Sequence, residues 1–335
     1  MSEIKHQENH GGFYIPPLPK DLFLFDLPLP RPGFHHFISS WFFVDPAGRR
    51  VLVDPGPAST IPLLLKELSS VTDGVDLILL THIHVDHSGG LSHLCEKFGG
   101  AKVIAHPKGA RHLIDPERLW NASRVTLREV ADMYDKPKPL APEKLAGYDD
   151  FPGIEVIETP GHAPHHISFI TKFGDSRLFF IGEAAGLRVP EEIEEEIEEK
   201  TKGKNKSSSH KKYLRPTTPP KFDVDSAHKS LAKIESALRD GDLLCYAHWG
   251  AERYDAQNSQ ITKAGKQLEL WLSVISKMEG RPLEEIAEYL IANDLNLARY
   301  SSLPDGVRSR ELFFVENAIR GFLEYLEDSR KDSIN

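Results

Sequence analysis

The stretch Leu77-Ile78-Leu79-Leu80-Thr81-His82-Ile83-His84-Val85-Asp86-His87-Ser88-Gly89-Gly90 sets a short apolar run directly against three histidines and an aspartate. The run suits a buried strand that stops at Thr81. A hydrophobic core has no use for imidazoles at that density. Metal binding does, because neutral imidazole nitrogens and a carboxylate are the donors that hold zinc, iron or manganese. The remainder of the chain must then supply the missing ligands at other strand ends.

Upstream, proline-rich punctuation separates short apolar pieces, and residues 35–44 and 50–53 read as a hairpin around Pro46-Ala47-Gly48. Its second strand ends in Val53-Asp54-Pro55-Gly56. Asp54 is expected to cap the helix over 60–68, to support the site from behind its ligands, or to do both. Downstream, residues 91–98 read as a helix, 102–105 as a strand, and 122–133 as helical pieces. A strand over 154–158 runs into Thr159-Pro160-Gly161-His162-Ala163-Pro164-His165-His166. Strands over 168–171 and 178–181 follow, the latter ending in Gly182-Glu183, and a strand over 243–247 ends at His248. Strand ends on one edge of a sandwich converge in space. The set so assembled holds five histidines and two carboxylates, too many for one tetrahedral ion and suited to two ions sharing a bridge.

At 335 residues the chain exceeds one average domain. Residues 13–250 carry the strand-rich pattern. Within them, 190–220 reads as an exposed insertion, acidic at first and then rich in lysine and serine. Tyr213 and Arg215, at its end, are candidates for contact with the pocket. Residues 251–330 read as a helical appendage, with Pro282 at a first helical position. The net charge of −9 argues against nucleic acid as the main partner. The two cysteines, Cys95 and Cys245, fit no disulfide framework. Residues 1–12 are polar and no stretch would span a bilayer, so a cytoplasmic protein without a membrane partner is expected.

With these residues in place, the chain resembles the metallo-β-lactamase-fold hydrolase superfamily. The motifs from Asp54 through the run at 81–87 to His162, Glu183 and His248 occur in that family's order. The resemblance implies an α+β fold, the αββα sandwich, with the C-terminal helical region appended. It also implies that His82, His84 and His162 hold a first metal, that Asp86, His87 and His248 hold a second, and that residue 183 bridges them. Asp54 and His166 would support the ligands, and Asp86 would double as proton acceptor. Zinc is the expected ion, with iron or manganese also compatible. The chain departs from the family twice: Glu183 stands where aspartate is usual, and His165 where glycine is usual, placing His165 among the pocket candidates.

The chemistry implied is attack by a metal-bridged hydroxide on a small ester, thioester or lactone. The helical C-terminus resembles glyoxalase II-like thioesterases in position, although no segment reproduces their glutathione-binding residues. A nuclease of the same fold is the alternative, supported by the lysine tract at 200–212. A metal-binding regulatory protein, pairing as a homodimer through its C-terminal helices, is the third reading.

Overall fold

In a computed structural model, residues 18–189 and 213–334 are described. The expectations placed on residues 1–12 and 190–212 lie outside them. The first sheet is formed by β1 (Phe23–Asp26), β2 (Ser39–Val44), β3 (Arg50–Val53), β4 (Leu77–Leu79) and β5 (Lys102–Ile104), in that spatial order. Its first three strands are antiparallel, and β4 and β5 join in parallel. Between and beyond these strands come α1 (Ile61–Leu68), α2 (Val85–Ser88), α3 (Leu91–Lys97), α4 (Pro107–Ile114), α5 (Glu117–Leu127) and α6 (Glu129–Asp132). The second sheet contains β6 (Ile154–Glu158), β7 (Ile167–Phe173), β8 (Ser176–Gly182), β11 (Leu243–Tyr246) and β12 (Ala251–Arg253), ordered β12-β11-β8-β7-β6. A separate ribbon pairs β9 (Leu187–Val189) with β10 (Tyr213–Arg215). Four further helices, α7 (Val224–Ala237), α8 (Gln260–Lys277), α9 (Leu283–Asn293) and α10 (Asp305–Ile334), complete the described chain.

The period-two alternation of strand side chains builds the sandwich. Trp41, Phe43, Leu77, Leu79, Phe169, Leu178, Phe180 and Leu243 point between the sheets and form one core. Phe43 stacks on Phe180 with ring centroids 5.4 Å apart, and the Trp41 indole donates to the Tyr246 carbonyl at 3.0 Å. Their sequence neighbours Phe42, Leu52, Ile78, Phe179 and Leu244 belong to a second core, shared with α1, α3, α7 and α8. Both faces of the central strands are therefore buried, which is why these strands read as continuous apolar runs. This is the αββα layering expected from the sequence.

Several boundaries move. The hairpin's first strand starts at Ser39 rather than residue 35, because the Leu29 amide and the Phe34 carbonyl close a turn and His36 has a positive φ of 49°. Pro282 is the N-cap of α9, with an extended ψ of 144°, and not its first helical residue. The expected exposed insertion over 190–220 is corrected for its described part: residues 213–218 are buried. Pairing of β10 with β9 is the reason, helped by Thr217 Oγ1 donating to the Glu183 carbonyl at 2.9 Å and Thr218 Oγ1 to Ala318 at 3.0 Å. The helical appendage begins after β12, since Ala251–Arg253 still pairs with the second sheet.

Candidate metal centre

The predicted ligands meet at one edge of the sandwich, where β4, β8 and β11 all end. His82, His84, His162 and Glu183 form one group of donor atoms lying within 4.8 Å of one another, and Asp86, His87 and His248 form a second. Glu183 lies between them. Its Oε2 is 3.1 Å from His82 Nε2, 3.1 Å from His162 Nε2 and 3.4 Å from His87 Nε2, while Oε1 is 3.4 Å from His248 Nε2. Asp86 Oδ2 is 3.3 Å from His87 Nε2 and 3.7 Å from His248 Nε2. The extra methylene of glutamate over aspartate thus leaves the carboxylate within reach of both groups.

What each ring offers to the centre is fixed by what its other nitrogen touches. A carbonyl can only accept, so His162 Nδ1, 2.8 Å from the Thr217 carbonyl, carries the proton and Nε2 presents a lone pair inward. His248 Nδ1 faces the Phe37 carbonyl at 3.0 Å with the same result. A longer relay sets His82. Asp54 accepts from the Thr81 amide at 2.8 Å and the Thr81 hydroxyl at 2.7 Å, leaving that hydroxyl to accept from His82 Nδ1 at 3.0 Å. Asp54 does this from a positive φ of 50°, a strained placement for a residue with a side chain. It does not cap α1, whose N-cap is Thr60.

His166 belongs to neither donor group. Its Nε2 accepts the Glu183 amide at 3.0 Å, and its Nδ1 meets the Thr159 hydroxyl at 2.8 Å, so it pins the backbone that carries Glu183. The approach requires Gly182. A Cβ there would fall 2.3 Å from His166 Nε2, and the backbone has φ +57°.

The donor set fits a divalent cation. His82 Nε2 and both His87 ring nitrogens are buried without a hydrogen-bond partner. His84 Nδ1 and His162 Nε2 converge at 2.9 Å. Tetrahedral bonds of zinc length would place ligand atoms about 3.3 Å apart, close to the spacings here. Burial drives His82 and His166 well below the ordinary imidazole value, and burial with the charge of His162 takes His84 down to about 4. Burial also raises the Asp86 carboxyl, but His87 and His248 outweigh it and hold it down to about 2. For His87 burial is likewise overcome, by Asp86 and Glu183, and its pKa is raised well above the ordinary value. The centre thus sets His82 and His84, held neutral by burial, beside carboxylates held ionised, which favour positive charge at His87.

A cavity of about 1030 Å³ opens onto these groups. His165 lines it, as expected, with its ring 5.8 Å from that of His84 and its pKa pushed by burial down to about 2. Arg215 lines it as well. Tyr213, expected beside it, is corrected: it is fully buried in the helix-side core and absent from the cavity wall, because β10 is covered on both faces. Sequence reasoning missed Phe37 and Thr217, whose contribution is a backbone carbonyl and leaves no side-chain signal. It also missed the wall supplied by α10, through Phe314, Asn317 and Ala318. Thr81 was adjacent to the motif and legible as a hydroxyl beside a ligand.

Comparison with known proteins identifies the family. The model of the Metallo-beta-lactamase superfamily matches residues 36–248, and the chain belongs to that superfamily. A probable metallo-hydrolase of Methanocaldococcus jannaschii is 32% identical over 130 residues, covering 36% of this chain and 57% of that protein. A hydroxyacylglutathione hydrolase of Stenotrophomonas maltophilia is 32% identical over 145 residues, covering 42% of this chain and 46% of the relative. The matched segment thus spans about half the length of these curated relatives. Among solved structures, an archaeal metallo-beta-lactamase superfamily protein from Sulfolobus tokodaii superposes with a TM-score of 0.58 at 22% identity, covering 90% of this chain and 98% of that one. A family protein from Thermus thermophilus gives 0.57 at 18%, covering 93% and 94%. These two show the fold alone. Among the described residues no helix is long and apolar enough to cross a membrane.

Proposed function

We propose that this protein is a dinuclear metal-dependent hydrolase of small thioesters or esters, lactones included. The carrying observation is the position of Glu183, one carboxylate within 3.4 Å of ring nitrogens from both donor groups. Superfamily membership and the names of the aligned relatives, a metallo-hydrolase and a hydroxyacylglutathione hydrolase, support the reaction class.

Divalent cations held by His82, His84 and His162 and by Asp86, His87 and His248, with Glu183 shared, would lower the pKa of water toward about 7 and act as Lewis acids toward a carbonyl. Zinc suits the all-nitrogen-and-oxygen donor set, as do iron and manganese. The chain's own part is orientation. Asp54 and Thr81 keep His82 Nε2 bare, while the Phe37 and Thr217 carbonyls do the same for His248 and His162. Asp86, held ionised by His87 and His248, would take the proton of an attacking water. Ile83, Leu119 and Phe314 give the cavity an apolar wall that limits water around the acyl group.

The test pairs metal analysis with a substrate panel of thioesters, aryl esters, lactones and phosphodiesters run with defined metals. The expected result is about two ions per chain and carbonyl-ester turnover that a chelator abolishes and metal restores. Activity in folded, metal-free protein, or turnover confined to phosphodiesters, overturns the reading.

A further inference from the structure

The cavity wall carries a charge asymmetry that the metal centre does not explain. Its only acidic lining residues, among those described, are Asp86 and Glu183, both in the donor groups, whereas Lys108, Arg111, Arg118, Arg215 and Lys221 all line it. In a chain of net charge −9 that is a local reversal.

The five cations fall into two kinds. Arg215 is paired with Glu311, with Nε 2.8 Å from Oε2, and Lys221 with Glu324 at 2.8 Å. Lys108 and Arg111 on α4 and Arg118 at the start of α5 are exposed. The ion pairs of that region are made by other residues: Lys136 with Glu117, Lys138 with Glu96, and Arg124 with Asp132. Arg111 Nε donates only to the neighbouring His112 ring, at 3.1 Å. Three cationic side chains therefore stand at one rim without a carboxylate partner among the described residues. Two of them share a neighbour: besides burial, the charges of Arg111 and Arg118 both depress His112, which lines the same wall as all three. Directly beside them α5 turns an apolar face to the cavity, including Val125, which is 81% exposed.

Unpaired guanidinium groups beside an ammonium are a receptor for oxyanions, and two guanidinium forks suit phosphate oxygens in particular. An exposed apolar stripe next to them suits an uncharged tether. We propose that the α4–α5 rim binds phosphate groups carried on the thiol half of an acyl thioester, with its tether along α5 and its carbonyl at the metal centre. This rests on the hydrolase reading above and narrows its substrate class. The reaction balances with water alone: a C–O bond forms at the carbonyl carbon, the C–S bond breaks, and the phosphorylated thiol leaves with one proton. A reaction that joins an acyl group to that thiol must supply the substrate.

Three probes sharing one butyryl group separate the possibilities: butyryl-coenzyme A (phosphates), butyryl-glutathione (carboxylates) and butyryl-N-acetylcysteamine (no anion). The metal-loaded protein should show a KM for the first at least about tenfold below that for the third, the scale of one charge-assisted hydrogen bond. Raising salt should erase the difference. Arg111→Glu and Arg118→Glu, both at exposed positions, should raise KM for butyryl-coenzyme A by a similar factor. They should leave kcat, and both constants for the uncharged probe, unchanged. A preference for butyryl-glutathione assigns the rim to carboxylates and overturns the proposal, as do equal KM values across the three probes or equal effects of the variants on all of them. Calorimetric binding of free coenzyme A keeps this test apart from the hydrolase reading. Rim-dependent binding with no turnover of any thioester would sink that reading and leave the phosphate site standing. Turnover without rim-dependent binding would do the reverse.

Discussion

The two walls of the cavity are held by different physics. On the sandwich side the donors follow strand ends, and three of them are aimed by one short contact each: Thr81 to His82, the Thr217 carbonyl to His162, the Phe37 carbonyl to His248. On the helical side there is no comparable motif among the described residues. A buried ion cluster ties α10 to the rest: Glu311 accepts from Arg215 at 2.8 Å and from Arg310 at 2.9 Å, and Arg310 also donates to the Gly33 carbonyl. The Arg310 guanidinium lies 4.3 Å from the Phe37 ring centroid, and that ring in turn packs 4.4 Å from His248. One wall is organised by chemistry that the reaction needs, the other by charges that must satisfy one another because water is excluded. The first should fail in function while keeping its fold; the second should fail in fold.

The largest break is at the ligands. His87→Ala or His84→Ala should abolish both metal retention and hydrolysis, read by metal analysis and turnover, with the far-ultraviolet circular dichroism of the parent retained. Unchanged metal content would remove these residues from the centre. Next comes Glu311→Ala, which leaves two buried guanidiniums uncompensated and should cost about 3–5 kcal/mol in denaturant unfolding. A loss below about 1 kcal/mol would mean that water reaches the cluster. A smaller effect is expected from Asp54→Asn. Its amide offers one acceptor to two Thr81 donors, so metal affinity should fall about 10–100-fold with little change in fold. Smallest is Tyr213→Phe. The Tyr213 hydroxyl is buried without a hydrogen-bond partner, so its removal should change stability by less than about 1 kcal/mol and leave KM untouched. A KM change would return Tyr213 to the cavity wall.

The contrast between walls is also a contrast in legibility. His82, His84, Asp86 and His87 could be read together because a strand end places near sequence neighbours in one small volume. His162, Glu183 and His248 could be added because each follows its own apolar run. The sandwich followed from the same runs, which are apolar throughout because both faces of the central strands are covered. Tyr213 was misplaced for a related reason. Its neighbours looked like the end of a polar insertion, whereas pairing with Leu187–Val189 buries the segment. The unpaired cations of α4 and α5 drew no notice in the sequence, since lysine and arginine on amphipathic helices are ordinary until their partners are known.

What the sequence determined by itself is the donor chemistry and the edge of the fold that presents it: residue type is local information, and so is the end of an apolar strand. Only the tertiary structure decided how the rings are turned and what closes the cavity. The carbonyl that orients His248 lies 211 residues away in sequence, the one that orients His162 lies 55 away, and Arg310 anchors α10 to a carbonyl 277 residues distant. Backbone carbonyls are identical along the chain, so their selection as partners carries no residue signature and is settled only when the sheets and helices pack.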